Sequence, residues 1–141
     1  MKRMFLVVAA FLGIVSLIQC TRVVANRPDV AADQLALIKS KDTQVVEIDG
    51  KKVQYSGGNF AKFKILPGEH SVTIALNDVN GFVTRYCKYS QTVYFAAVAG
   101  HTYVTKPKYS GEIWHAIIVD AATGNVVSLP EKPELPATMN K

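Results

Sequence analysis

The sequence predicts an all-β protein, a single antiparallel β-sandwich that follows an N-terminal signal peptide. Apolar and polar residues alternate from Leu35 onward, turn signals recur about every ten residues, and no useful helical period is present. The chain of 141 residues suits one domain of ordinary size. A charged fraction of 19%, with six Phe and six Tyr, excludes a disordered chain.

The beginning of the chain has the pattern of an export signal. Lys2 and Arg3 precede an uncharged apolar run at residues 5–18, which is typical of a secretory signal peptide. The run ends at Gln19, short of the roughly 20 apolar residues that a membrane-spanning helix needs. We therefore assign residues 1–19 to a signal peptide, and a retained membrane-spanning segment is the less favoured alternative.

Two cleavage sites compete at the end of this signal. The sequence Leu17-Ile18-Gln19-Cys20 resembles the lipobox of bacterial lipoproteins, although Gly, Ala or Ser is usual where Gln19 stands. This resemblance implies lipid attachment at Cys20 with palmitate-type acyl chains. Because Thr21 follows rather than Asp, it also implies an outer-membrane lipoprotein facing the periplasm. Ordinary cleavage after Ala25 is the alternative, and it predicts a soluble periplasmic or secreted protein.

Cleavage changes both the charge and the cysteine content. Loss of Lys2 and Arg3 lowers the formal net charge from +5 to +3, with 14 basic and 11 acidic residues remaining of the 16 and 11 in the whole chain. These charges are spread evenly along the sequence, and we expect no nucleic-acid partner. If Cys20 is lipidated or removed, no intramolecular disulfide is possible, and the β-prone sequence around Cys87 favours a buried, inert thiol.

The first half of the predicted domain contains strands separated by tight turns, after a tether at residues 20–34. Asp49-Gly50 matches a type I′ hairpin turn, because both central positions of that turn need positive φ. Further along, Ala61, Phe63 and Ile65 share one face of an alternating segment. The expected elements are strands at 35–40, 43–48, 51–55 and 60–65, with a looser corner at 57–59.

A turn followed by an alternating strand is the most recognisable feature of the chain. Pro67 fixes φ at the first corner of the turn and Gly68 supplies positive φ at the second. The strand that follows places three apolar residues inward: Val72, Ile74 and Leu76. With His70 between turn and strand, this pattern resembles the PEGA-type module and related small bacterial sandwich lipoproteins over residues 35–120. The resemblance implies an immunoglobulin-like or PEGA-like sandwich and names no ligand.

The second half continues with short strands and Gly-containing turns, and the domain is expected to end at residue 129. Small sandwich lipoproteins often carry a Tyr-led strand after such a turn, and Tyr103 is expected to pack and to form a hydrogen bond there. The expected elements are a polar loop at 77–81, strands at 82–89, 91–98, 100–104 and 114–120, loops at 106–111 and 121–125, and a return strand at 126–129. A flexible, Pro-rich tail is expected at 130–141.

Three histidines are the candidates for metal binding or acid–base chemistry. His70, His101 and His115 lack the short spacing of metal ligands, so we predict no metal site. His70 and His101 each follow a Gly-centred turn, and we expect both near one end of the sandwich. No phosphate-binding loop or nucleophile motif is present, so we predict no catalytic residue, no cofactor and no enzymatic activity.

Four carboxylates could be paired into a catalytic dyad. Asp49, Asp78 and Asp120 lie in or beside expected turns, where Asp is common for turn chemistry, and Glu47 is the fourth. We therefore favour a structural role for the carboxylates over a catalytic one.

Aromatic side chains give the better functional hypothesis. A face bearing several of them can stack on sugar rings or contact a protein partner, although alternate residues belong to a core instead. The candidates are Tyr86, Tyr89, Tyr94, Tyr103, Tyr109 and Trp114, together with the loop expected at 106–111.

The sequence therefore predicts an exported, lipid-anchored and non-catalytic envelope protein that binds a protein partner or cell-wall glycan. The alternative is a structural accessory subunit of an envelope or secretion assembly. Membrane contact is expected through the N-terminal lipid.

Overall fold

The computed structural model describes residues 21–23, 30–53, 61–80, 83–86 and 89–131. In these ranges the chain forms ten strands and one 3₁₀ turn (Ala32–Gln34), and the strands build two sheets that pack together. This confirms the predicted all-β sandwich. No helix within the same ranges is long and apolar enough to cross a membrane.

Several predicted features lie outside the described residues. They are the signal peptide at 1–19, Cys20, the alternative cleavage site after Ala25, the corner at 57–59, Cys87, the side chain of Tyr86 and the tail from residue 132 onward.

The first sheet contains, in spatial order, β1 (Thr21–Val23), β5 (Lys62–Ile65), β2 (Ala36–Ser40), β9 (Thr102–Ser110) and β10 (Ile113–Asp120). The β1–β5 and β2–β9 pairs are parallel, whereas β2–β5 and β9–β10 are antiparallel. Strand β1 lies within the segment expected to be a tether, so that segment contributes an edge strand to this sheet.

The second sheet contains β4 (Lys51–Lys52), β3 (Thr43–Ile48), β6 (Gly68–Asn80) and β7 (Val83–Tyr86), with β8 (Gln91–Ala97) also paired to β6. The first half of β6 pairs with β8, and its last four residues pair with β7. The polar loop predicted at 77–81 is therefore wrong for 77–80, and Asp78 lies in a strand rather than a turn. Pairing of β6 with β3 ends at Leu76. Residues 77–80 pair with β7 alone, outside the region where the two sheets cover each other, and polar residues are tolerated there.

The core lies between the two sheets and follows the predicted alternation. Ile38 and Ile118 of the first sheet and Val72 and Ile74 of the second sheet are fully buried. Each such side chain contributes about 1.5–3 kcal/mol through removal of apolar surface from water. Alternation along each strand therefore determines which side chains face the opposite sheet and which lie on the outer surface.

The turn predicted at Asp49-Gly50 is confirmed. Asp49 has φ of 52° and Gly50 has φ of 71°, as a type I′ turn requires at both central positions. The turn places the Asp49 side chain at the end of the sandwich where β6 begins.

The loop predicted at 106–111 is wrong, because residues 106–110 continue β9. Pro107 pairs with Ala116 of β10, whereas the pairing of β9 with β2 ends at Thr105. Beyond Thr105, the edge of β9 that faces β2 has no partner strand to which a backbone N–H would donate. Proline, which lacks that N–H, is therefore tolerated at position 107.

The outer edge of β10 is covered by side chains and by the chain that follows it. The amide oxygen of Gln91 accepts from the Ala116 N–H, and the Ser128 hydroxyl accepts from the Ile118 N–H, each at 2.9 Å. The predicted return strand at 126–129 is reduced to two isolated bridges, Val119 with Val126 and Tyr94 with Leu129. Because Val119 and Tyr94 belong to different sheets, this segment connects the two layers.

Candidate functional site

Asp49 joins the β3–β4 turn to the start of β6. Its backbone N–H donates to the Ser71 carbonyl oxygen at 2.9 Å, and its Oδ1 accepts from the Ser71 N–H at 2.9 Å. Its Oδ2 lies 2.7 Å from Nδ1 of His70. The carboxylate is therefore fixed by two neighbouring residues of β6, although 45% of its side chain remains exposed.

His70 is held by acceptors on both of its ring nitrogens. Nδ1 faces the Asp49 carboxylate, and Nε2 lies 2.7 Å from the carbonyl oxygen of Leu66. Both partner atoms, a carboxylate oxygen and a backbone carbonyl oxygen, are hydrogen-bond acceptors. Neither nitrogen is left to act as a base on a substrate, so the pair connects structural elements.

An open groove of about 630 Å³ lies beside this pair. Strand β6 contributes Glu69, His70 and Ser71, and the β3–β4 turn contributes Asp49. The neighbouring strand β8, which pairs with β6, contributes Tyr94, Phe95 and Ala96, and the chain after β10 contributes Val127 and Leu129. Mutual backbone hydrogen bonds of Tyr94 and Leu129, 2.8 and 2.9 Å long, join the chain after β10 to β8.

The groove combines carboxylates and a hydroxyl with apolar and aromatic surface. Glu69 is exposed, and Tyr94 is half-buried. Leu129 is half exposed, which leaves apolar surface at the rim of the groove. Such a mixture of a few fixed polar groups and apolar walls is typical of small-ligand and sugar sites.

A second Asp–His pair lies at the same end of the sandwich. Nδ1 of His101 is 2.8 Å from Oδ2 of Asp120. The histidine side chain is 46% exposed, whereas the aspartate side chain is 8% exposed. Oδ1 of Asp120 accepts from the N–H groups of Ala122 and Thr123, so this carboxylate also organises the turn after β10.

These contacts determine the ionisation of Asp120. The hydrogen bond with His101 is the largest influence, followed by those from the N–H groups of Thr123 and Ala122. Together they hold the pKa of the Asp120 carboxyl below its ordinary value, and burial opposes them only in part.

Two aromatic rings separate the histidine pairs. His70 lies 6.2 Å from the ring of Phe95, Phe95 lies 4.9 Å from Tyr103, and Tyr103 stacks at 6.1 Å on His101. His70 and His101 therefore share one end of the sandwich, as expected, without meeting. His115 lies apart from both, on β10, where it pairs with Lys108 of β9.

No metal centre is formed by these side chains. Across the described ranges, no three His, Cys, Asp or Glu side chains are grouped so that they could hold a metal ion. Of the four carboxylates considered for a dyad, Asp49 and Asp120 each pair with a histidine instead.

The predicted aromatic surface divides into three parts. Tyr103 and Trp114 are buried in the core, and Tyr103 forms the expected hydrogen bond, accepting from the Val98 N–H at 3.0 Å. Tyr94 lines the groove. Tyr89 is 76% exposed and Tyr109 is 38% exposed, and both belong to the opposite end of the sandwich.

We name that opposite end the tip patch, which consists of Tyr89, Tyr109 and Ile113. Ile113 is 64% exposed and pairs with Ser110 at the β9–β10 turn, and Tyr109 pairs with Trp114. Tyr89 precedes Gln91 by two residues, and the side-chain amide of Gln91 donates to the Trp114 carbonyl oxygen at 2.9 Å, which holds the start of β8 beside β10.

Sequence reasoning missed Glu69 and Leu129 as groove residues. Glu69 follows the Pro-Gly turn, where an acidic residue is ordinary, and Leu129 precedes a proline-rich segment. Each acquires its place through pairing with β8, at Ala96 and Tyr94 respectively, and no local pattern signals this.

Comparisons with known proteins give no relative: no family model matches the chain, and neither the curated proteins nor the solved structures contain a significant match.

Proposed function

We propose that this protein is an exported, lipid-anchored and non-catalytic envelope module whose groove binds cell-wall glycan. The observation that carries the proposal is that Glu69 and Tyr94, on the paired strands β6 and β8, line the same open groove. A tyrosine ring can stack on the apolar face of a sugar. A carboxylate accepts hydrogen bonds from sugar hydroxyl groups.

The arrangement of the groove favours binding over catalysis. Asp49 and His70 resemble the acid–base half of a hydrolytic site in composition, but Nε2 of His70 is occupied by the Leu66 carbonyl. A general base needs that nitrogen within reach of the proton it removes. The pair instead fixes the shape of the groove, which lowers the entropic cost of binding.

Sedimentation with purified, insoluble peptidoglycan tests this proposal. We expect the full chain to sediment with the polymer and Tyr94→Ala to weaken binding by about two- to ten-fold, since stacking of one ring is worth about 0.5–1.5 kcal/mol. Glu69→Gln is expected to weaken binding by a similar factor, because a charge-assisted hydrogen bond becomes a neutral one.

Matched controls come from the other end of the molecule. Tyr89→Ala removes a more exposed ring, and Glu112→Gln removes an exposed carboxylate, both away from the groove. Both controls are expected to bind as the parent does. A parent chain that stays in the supernatant contradicts the glycan proposal.

A protein-binding role as an accessory subunit is the second candidate, and the tip patch favours it. Its three exposed apolar or aromatic side chains come from two neighbouring segments, as at the centre of many interfaces. A photo-crosslinking residue at position 113 is expected to give one discrete adduct in cells, which Tyr89→Ala removes. Persistence of that adduct in Tyr89→Ala, or adducts of many sizes, contradicts this candidate.

The lipid anchor remains a proposal based on Cys20 and the lipobox-like sequence before it. Cys20→Ala, or treatment with globomycin, is expected to change the size of the processed protein and to release it from membranes. An unchanged size and unchanged membrane partitioning favour cleavage after Ala25 instead. The likeness of the Pro67-Gly68 turn and its strand to PEGA-type modules is consistent with an exported protein.

A further inference from the structure

The outer face of the first sheet collects most of its lysines. We call it the basic face and define it by Lys39, Lys62, Lys64, Lys106 and Lys108. Inward neighbours on the same strands, Ile38, Phe63 and Thr105 among them, are buried, so alternation directs the lysines to the outside. Strand pairing brings them together across β5, β2 and β9, although 69 positions separate the first from the last in sequence (39 to 108).

The charge of this face is uncompensated by acidic residues of its own sheet. The five strands of the first sheet contain one carboxylate, Asp120, which is buried and paired with His101. Lys39 lies directly opposite Lys62 in the antiparallel β2–β5 pair, an arrangement that destabilises a sheet. Within the described residues Lys39, Lys64, Lys106 and Lys108 form no ion pair and no side-chain hydrogen bond.

Apolar side chains lie between the lysines. Leu37, Val104 and Ile117 are half-buried on the same face, and Leu37 pairs with Lys64 while Ile117 pairs with Lys106. Most of the lysines are themselves half-buried, so their stems lie along the sheet and their ammonium groups reach outward. The face therefore offers positive charge and apolar surface together.

The edge of this sheet lies next in sequence to the proposed lipid. β1 begins at Thr21, one residue after Cys20, and Thr21 pairs with Lys62 at the margin of the basic face. An acyl chain on Cys20 would leave almost no free chain between the membrane surface and this sheet.

From these observations we propose that the basic face lies flat on a bilayer of anionic phospholipids. A bilayer supplies both phosphate groups for the lysines and an apolar layer for Leu37 and Ile117, whereas a soluble polyanion supplies charge alone. Contact along this face fixes the orientation of the sandwich, and it leaves the groove, which is built on the other sheet, free for its ligand. This inference depends on one part of the proposed function, the acyl group at Cys20, and not on glycan binding.

Vesicle co-sedimentation of the full chain tests the proposal. The ratio of binding to phosphatidylcholine vesicles with and without phosphatidylglycerol is measured, because apolar insertion contributes to both and cancels in the ratio. We expect the parent to prefer anionic vesicles strongly. Lys64→Gln with Lys106→Gln is expected to lower that preference about 25-fold, since each lysine near the surface is worth about 1 kcal/mol.

The matched control is Lys51→Gln with Lys52→Gln. These exposed lysines of β4 belong to the second sheet, and their replacement removes the same net charge. We expect less than about a two-fold effect, because charges far from the contact are screened within about 10 Å. Equal losses in the two double variants show that net charge alone acts, which overturns the proposal.

A charge-retaining variant and two binding controls complete the vesicle experiment. Lys64→Arg with Lys106→Arg retains the charge and is expected to retain binding, which answers the question if the Gln variant fails to fold. Binding of the parent that is equal for neutral and anionic vesicles overturns the proposal, and so does capture by soluble polyglutamate without capture by anionic vesicles. The Tyr94→Ala variant is expected to keep the preference for anionic vesicles. A failure of the glycan proposal can therefore be distinguished from a failure of the membrane proposal.

Discussion

The hydroxyl oxygen of Tyr103 accepts a hydrogen bond from the backbone N–H of Val98 at 3.0 Å. Tyr103 belongs to the first sheet and Val98 follows β8 of the second, so this bond secures the corner where the chain passes between the layers. The same ring contacts Phe95 and His101. One buried tyrosine thus contacts His101 directly, and Phe95 lies between it and His70.

Tyr103→Phe is expected to lower the free energy of unfolding by about 1 kcal/mol. The ring remains in place, but the Val98 N–H loses its partner in a partly buried position. Urea unfolding measures the change, with Tyr89→Phe as the control because its side chain is largely exposed. A Tyr103→Phe variant as stable as the parent would mean that water replaces the hydroxyl without cost.

Thr43 and Thr105 are expected to be energetically coupled. Their hydroxyl oxygens lie 2.7 Å apart, and both residues are almost completely buried. Thr105→Val leaves the Thr43 hydroxyl without its close partner and is expected to cost about 1–3 kcal/mol. Replacing both by Val is expected to cost less than the sum of the single changes, as a double-mutant cycle measures. Strict additivity would contradict the coupling.

Asp120→Asn is expected to weaken the acid dependence of stability. The pKa of Asp120 is lowered in the folded protein, so its stabilising effect is present above the unfolded-state pKa of about 4 and is lost as pH falls through the lower folded value. The free energy of unfolding, measured by urea at neutral and at acidic pH, is expected to fall less steeply for the variant. Parallel profiles for both proteins would disprove this assignment.

His70→Ala is expected to destabilise the fold by about 2 kcal/mol. The Asp49 carboxylate and the Leu66 carbonyl both lose a donor, and the side chain is only 11% exposed. His115→Ala provides the control, because that residue is exposed on the outer face of β10. Thermal unfolding midpoints compare the two. Equal midpoints for both variants would exclude a structural role for the Asp49–His70 pair.

Local periodicity explains how much of the fold can be predicted from the sequence. The inward positions of Val72, Ile74 and Leu76 follow from alternation alone. The Asp49-Gly50 turn follows from the need for positive φ at two consecutive residues. At residues 77–80 and 106–110 the polar sequence predicts loops, but the structure has strands. A strand that extends beyond the core does not need apolar residues, so alternation does not reveal it.

The candidate site was less accessible to sequence reasoning. Asp49 and His70 are 21 positions apart, and neither carries a spacing that predicts their contact. The sequence indicates the aromatic residues as a set, but the burial of Tyr103 and Trp114 and the exposure of Tyr89 depend on which sheet covers each strand.

The amino-acid sequence alone is enough to predict a sandwich of short strands and the positions of several turns, because these depend on neighbouring residues. The pairing of distant strands is visible in the three-dimensional fold and in no local sequence pattern. It brings Glu69 and Tyr94 into one groove and joins lysines that are evenly spread along the sequence into one face. Pairing between distant strands is set by complementary burial in three dimensions, and a linear pattern does not contain that information.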